Sequence, residues 1–259
     1  MSRRFGGLTV VALYGTLFAG CASWLPAPTP MRTYSDRAQP DGTSRCLLVF
    51  MPGLGDTEQD FVEHGFIAAI RARNLPVDVI STNATLGYYA RRTLLDRMQE
   101  DVIAPARTAG YEKIWVAGIS MGGMGTLLVS KDEEARGRAI SGAVLIAPYL
   151  GEKDVQKEIS AAGGLARWQP GPRTPNEDYD RDVWRWLKNK TEKPNDASPS
   201  IYLAAGNEDK LAAAHRLLAP TLPKERVFRT PGNHDWGPWS LLWADFLDHS
   251  DFRASCSTR

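Results

Sequence analysis

Lys113-Ile114-Trp115-Val116-Ala117-Gly118-Ile119-Ser120-Met121-Gly122 is the stretch on which the fold turns. Lys113 to Ile119, with its apolar Ile114–Val116, reads as a buried strand, and Met121 to Lys131 reads as a helix. The pentapeptide Gly118-Ile119-Ser120-Met121-Gly122, a G-x-S-x-G pattern, therefore falls on a strand-to-helix turn. A turn of that kind holds its serine in a strained conformation, and a Cβ at 118 or 122 would collide with neighbouring backbone. The competing reading is a glycine-rich turn with an incidental serine. The strand–turn–helix setting favours Ser120 as a nucleophile.

Outward from this turn the chain alternates short apolar runs with longer helical patterns. Cys46 to Met51, Pro76 to Ser81, Ile140 to Ala147, Ile201 to Ala205 and Arg226 to Thr230 read as further strands. Asp60 to Arg73, Leu86 to Ala109 and Trp236 to Leu247 carry apolar residues at helical spacing. The alternation predicts an α/β domain with a mostly parallel sheet of about six strands and flanking helices. Residues 149–198 break the rhythm and are too long for a plain connection. Their Trp and Leu content predicts a helical cap inserted after the fourth strand, above the sheet edge where ligands bind.

A serine hydroxyl needs a base to take its proton. The chain has four histidines: His64, His215, His234 and His249. His234 lies in Pro231-Gly232-Asn233-His234-Asp235-Trp236, directly after the last strand, where a loop can carry an imidazole over the strand end. The other three fall in helical patterns and read as surface or structural residues. The base needs a carboxylate to fix its tautomer. Asp209, in Ala205-Gly206-Asn207-Glu208-Asp209 after the fifth strand, is the choice, with Glu208 its near competitor. Asp235 reads as a loop-capping residue. A tetrahedral oxyanion needs two N–H donors. Met121 supplies one candidate, and Leu54 in Pro52-Gly53-Leu54-Gly55-Asp56, after the first strand, supplies the other. Tyr88, Tyr89, Arg91 and Arg92 follow the second strand and either line the entrance or form a solvated helix face.

These segments, in this order, resemble the α/β-hydrolase superfamily over residues 46–249. Asn233-His234-Asp235-Trp236 also resembles the esterase D-like branch, where His-Asp-Trp is common. The chain departs from the pattern at Met51-Pro52-Gly53, where many relatives have His-Gly, and in the short run before its first core strand, which predicts missing or reduced leading antiparallel strands. The resemblance implies a Ser120–Asp209–His234 triad, an oxyanion hole at Leu54 and Met121, and no cofactor. It implies hydrolysis of a small-molecule or lipid-like carboxylic ester through an acyl-enzyme. An acyltransferase, thioesterase or peptidase with the same triad is the second reading, and a non-catalytic envelope-binding lipoprotein the third.

Composition narrows the field. The 259 residues suit one α/β domain, and a net charge of +1 without a basic stripe argues against a nucleic-acid partner. Trp184, Trp186, Trp236, Trp239 and Trp243 crowd the last third, as core filling or pocket lining. Arg3 and Arg4 precede an apolar run from Leu8 to Ala19, which is too short for a comfortable membrane span. Leu17-Phe18-Ala19-Gly20-Cys21 resembles a bacterial lipobox, with Phe18 where Leu is usual. Residues 1–20 thus read as a signal peptide, Cys21 as a lipidated residue anchoring the chain in the bacterial cell envelope, and 21–45 as a tether containing the Pro-rich Pro26–Pro30. The competing readings are ordinary secretion with cleavage near Ala22-Ser23, and an uncleaved anchor. Residues 46–259 read as the α/β-hydrolase domain that the resemblance implies. Cys46 and Cys256 either pair in an oxidising compartment or stay as two buried thiols, and the cysteine spacing matches no metal motif.

Overall fold

The computed structural model describes residues 25–39, 42, 44–173, 179–192 and 199–257. The signal peptide and Cys21 lie outside the described residues. Seven strands form one sheet: β1 (Thr33–Asp36), β2 (Cys46–Met51), β3 (Val77–Thr82), β4 (Lys113–Ile119), β5 (Gly142–Ile146), β6 (Ser200–Gly206) and β7 (Val227–Thr230). The order is β1-β3-β2-β4-β5-β6-β7. β1 pairs antiparallel with β3, with Thr33 opposite Thr82, and every other pairing is parallel.

The central strands are apolar on both faces because both faces are covered. Along β2, Leu47, Val49 and Met51 point into one core, and Cys46, Leu48 and Phe50 into the other. The second core is packed by α1 (Asp60–Glu63) and α2 (Phe66–Ala72). The first takes α3 (Leu86–Ala90), α4 (Leu94–Met98), a π-helical turn at Gln99–Ile103, α5 (Ala104–Thr108) and α6 (Met121–Ala135). It also takes α7 (Lys153–Ala161), α8 (Tyr179–Glu192) and α9 (Ala212–Leu218). Two C-terminal helices, α10 (Trp236–His249) and α11 (Phe252–Cys256), return to the second core. There Phe50, Phe66, Trp243 and Phe246 interlock, with Phe66 and Trp243 stacked at 5.5 Å between ring centroids. A disulfide joins Cys46 to Cys256, 210 residues apart, and ties α11 to the start of β2.

Three local features differ from the sequence reading. The leading antiparallel strands are reduced to one, β1, and it lies within the stretch read as a tether. Residues 25–36 lie against the body of the protein, and Met31 is buried in the first core. The helix expected over Leu86–Ala109 stops after α3, where Arg92 takes φ 57° and the Thr93 N–H donates to the Tyr88 carbonyl at 2.9 Å. That six-to-one bond closes a Schellman-type end with arginine in the place that glycine usually takes. The helix expected over Asp60–Arg73 is likewise divided, at Gly65.

Candidate active site

The C-terminal ends of the parallel strands collect the functional side chains, as open parallel sheets do. Ser120 follows β4 directly and has φ 52° and ψ −113°, a left-handed conformation that costs an L-residue strain. The surroundings hold it there. The Ser120 N–H donates to the Ile146 carbonyl at 3.0 Å, and its carbonyl accepts from the Tyr149 N–H at 2.8 Å. A Cβ at Gly118 would overlap the Gly122 carbonyl, and one at Gly122 would overlap the Met51 carbonyl. Glycine at both positions is what lets the turn close.

His234 and Asp209 are brought together by the loops after β7 and β6. The Asn207 N–H donates to Thr230 and the Glu208 N–H to Gly232, while the Glu208 carboxylate accepts from the Gly232 N–H. Glu208, the competing candidate for the acid, is thus occupied in fastening one loop to the other. Asp209 faces the imidazole: its Oδ2 lies 2.8 Å from His234 Nδ1, and its Oδ1 accepts from the Leu211 N–H at 2.7 Å. An ionised carboxylate only accepts, so Nδ1 carries the proton and Nε2 is left as the acceptor. His234 Nε2 lies 3.0 Å from Ser120 Oγ. Burial pushes the Asp209 carboxyl up, but the hydrogen bonds from His234 and Leu211 outweigh it and leave its pKa below the ordinary value. A hydroxyl, an imidazole and an anchored carboxylate in sequence form a proton-transfer relay.

Leu54 and Met121 line the same cleft as Ser120. Met121 opens α6, so its N–H has no carbonyl one turn back within the helix. The Leu54 side chain is 65% exposed. Asp56 in the same loop is held above its ordinary pKa by burial and by the charge of Asp60. Asp235, next to His234, caps α10 by accepting from the Gly237 N–H at 3.0 Å.

The cleft measures about 1250 Å³. Tyr89 and Arg92 line it, whereas Tyr88 is buried with its hydroxyl on the Pro28 carbonyl, and Arg91 reaches the Leu25 carbonyl. Of the tryptophans, Trp236 and Trp239 line the cleft. Trp115, Trp168, Trp184 and Trp243 are core. His64 stacks on Trp236 with centroids 4.1 Å apart, His249 is exposed, and His215 is fully buried. Tyr149, Glu152, Val155, Tyr179 and Arg181 add a wall from the stretch 149–198, which the sequence reading placed above this sheet edge without singling out these side chains. They come from the segment after β5 and from α7 and α8, whose burial is set by tertiary packing. Among the described residues no cluster of His, Cys, Asp and Glu is arranged to hold a metal ion.

No protein-family model matches the sequence, and no curated protein matches it. Solved structures resemble it over most of their length and most of this chain. Est1E from Butyrivibrio proteoclasticus, solved with ferulic acid bound, superposes with a TM-score of 0.52 at 13% identity, over 85% of this chain and 95% of that one. An S-formylglutathione hydrolase from Agrobacterium tumefaciens gives 0.54 at 14% identity, over 86% and 90%. A monoacylglycerol lipase from Paleococcus ferrophilus gives 0.51 at 15%, over 85% and 99%. At such identities the likeness is one of fold.

Proposed function

We propose that this chain, an α/β-hydrolase in fold, is a serine hydrolase that cleaves carboxylic esters through an acyl-enzyme on Ser120. The observation that carries the reading is the continuous relay from Ser120 Oγ through His234 to Asp209 at 3.0 and 2.8 Å. Ser120 Oγ attacks the ester carbonyl while His234 Nε2 takes its proton. The oxyanion is met by the N–H groups of Met121 and Leu54, each donor in such a hole being worth about 10²- to 10³-fold in rate. The imidazolium, stabilised by Asp209, returns the proton to the departing alcohol. Water then enters, gives its proton to His234 and attacks the acyl group. The acid leaves as Ser120 takes the proton back. The ester-cleaving enzymes that share the fold support this chemistry.

A fluorophosphonate probe tests the nucleophile. Labelling of the folded protein that disappears in Ser120→Ala is the expected result. An unlabelled native protein, or equal labelling of the variant, rejects it. Ester turnover across short and long acyl chains, with an alcohol acceptor in a parallel series, then separates hydrolysis from acyl transfer.

We further infer that Cys21 carries lipid and holds the protein in the bacterial cell envelope. The Leu17–Cys21 pattern supports this, and the Cys46–Cys256 disulfide is at home in an exported, oxidising setting. Among the described residues no helix is long and apolar enough to cross a membrane. Metabolic labelling with palmitate checks it: the wild type takes up label and Cys21→Ser does not. A wild type left unlabelled beside a labelled control lipoprotein rejects it.

A further inference from the structure

We infer that the mouth of the cleft faces the membrane that holds the N-terminus, and that the ester it takes belongs to a lipid of that membrane. The inference rests on the hydrolase and anchor readings above and goes beyond them in assigning an orientation and a source of substrate.

Residues 25–31 are strapped to the protein rather than spent on reach. The Arg91 guanidinium donates to the Leu25 carbonyl at 2.9 Å, and the Thr85 hydroxyl to the Pro26 carbonyl at 3.1 Å. The Tyr88 hydroxyl donates to the Pro28 carbonyl at 2.7 Å, and the Met31 N–H to Asp101 Oδ2 at 2.8 Å. Gly87 brings the α3 backbone so close to the Pro26 carbonyl that a Cβ would overlap it. The described chain therefore begins pinned along α3.

The other side of α3 is the cleft. Leu86 and Tyr89 line it, as does Arg92 just past the helix end. Strap and cleft are separated by one helix, about 10–12 Å across with its side chains. Three residues separate Cys21 from Leu25, so four Cα-to-Cα steps span at most about 14 Å. An acylated Cys21 thus keeps the cleft mouth within roughly 25 Å of the headgroups, a reach set by those two lengths. That reach keeps the cleft near the bilayer, and the surface around its mouth sets which way it faces.

The surface at that corner suits the bilayer. Among the described residues the exposed large apolar side chains are Leu54, Leu86 and Leu241, and the first two are at the cleft. Arg91 and Arg92 are exposed beside them and match anionic headgroups. An apolar rim next to a short lipid tether gives a lipid ester a path from the bilayer to Ser120 without crossing water.

The test uses the acylated full chain in phosphatidylcholine–phosphatidylglycerol vesicles. With Cys21 acylated and Cys46–Cys256 closed, Leu86→Cys introduces the free thiol for an environment-sensitive fluorophore, and Leu241→Cys does the same on α10 as the comparison. The emission at position 86 is expected to shift to the blue and to be at least halved by lipids carrying a spin-label quencher, while position 241 stays unquenched. Equal quenching at both sites, stronger quenching at 241, or protein that does not float with the vesicles overturns the orientation. The wild type in the same vesicles is expected to release fatty acid from dioleoylglycerol, with Ser120→Ala as the blank. Quenching at 86 without release overturns the substrate assignment. Fluorophosphonate labelling of the same preparation reports on the hydrolase reading separately, so a labelled protein whose position 86 stays in water sinks this inference alone.

Discussion

The fully buried His215 ring, on α9, donates a hydrogen bond from Nε2 to the carbonyl of Pro148, 2.9 Å away. A carbonyl only accepts, so Nε2 carries the proton, and Nδ1 has no hydrogen-bond partner among the described residues. Pro148 precedes Tyr149, whose N–H grips the Ser120 carbonyl. Asp209 precedes α9 in the chain, and its N–H-bonded turn leads into the helix through Ala212. The His215 ring therefore braces the loop that carries the acid against the loop that supports the nucleophile turn.

Protonation would leave the Nε2 donor in place but would put a charge in a fully buried site. Burial pushes the His215 pKa down to about 4 from an ordinary 6.5, against a smaller upward pull from the Pro148 carbonyl and Asp209. Between those values the unfolded chain binds a proton that the native state refuses, so stability falls as pH drops from 6.5 to about 4. The loss from this group is on the order of 3 kcal/mol. Asp209 works in the same direction, because its lowered pKa contributes stability at neutral pH that is lost in acid. Chemical denaturation at a series of pH values is expected to show this slope in the wild type and a flatter one in His215→Gln. The glutamine keeps an N–H donor for Pro148 and does not titrate. Identical slopes would refute the assignment.

Asp209 and Glu208 are neighbours in sequence with separate tasks, and exchanging each for its amide separates them. Asp209→Asn leaves the shape intact but gives His234 Nδ1 a partner that no longer stabilises the imidazolium. Ester kcat/KM is expected to fall about 10³- to 10⁴-fold. Glu208→Gln keeps an acceptor for the Gly232 N–H, so its loss stays within about tenfold, the worth of a modest hydrogen bond. Steady-state kinetics on a soluble ester decides, and a larger loss in Glu208→Gln would reverse the roles.

The parts of this site that chemistry constrains by residue type were readable along the chain. The nucleophile turn left two glycines beside a serine, and β4 runs over Lys113–Ile119 as its apolar run indicated. With few histidines, position relative to the strands was enough to single out His234. β1 left no comparable mark: Thr-Tyr-Ser-Asp is an edge strand with only partial burial, without an apolar run. The break after α3 was hidden for the opposite reason. Tyr88, Leu94 and Met98 all enter the same core, so the apolar spacing runs through a stop made by backbone geometry at Arg92. The segment that walls the cleft was legible as a cap, but Tyr149 and Tyr179 as its lining were not, because neither residue belongs to a local pattern.

The nucleophile turn makes a sharp stability prediction. In Gly118→Ala the new methyl would overlap both the Gly122 carbonyl and the Thr126 hydroxyl, and that hydroxyl is already bonded to Gly122 at 2.9 Å. Backbone on one side and a short, bonded side chain on the other leave no soft neighbour to yield. A destabilisation of about 3 kcal/mol or more is expected, at the upper end of overpacking costs. Urea denaturation measures it. A fully stable Gly118→Ala would mean that strand β4 and helix α6 meet less tightly than described.

The disulfide makes the last prediction, because its weight is topological rather than local. Cys46 opens β2, an interior strand of the sheet, and Cys256 closes α11, so the bond spans nearly the whole domain. Closing so long a loop restricts the unfolded chain strongly, and the native contacts around it change little when the bond is cut. Phe252 remains packed on Trp115, and Trp115 Nε1 remains within reach of Ser255 Oγ. Cys256→Ser, or reduction of the wild type, is therefore expected to cost about 3–5 kcal/mol and to lower the melting temperature by several degrees. Activity of the surviving folded fraction should stay near the wild type's, because Ser120, Asp209 and His234 lie at the C-terminal ends of their strands and Cys46 lies at the N-terminal end of β2. Thermal melts with and without reductant, read beside ester turnover at low temperature, test both halves. Loss of turnover without loss of stability would show that the bond governs the site and not the fold.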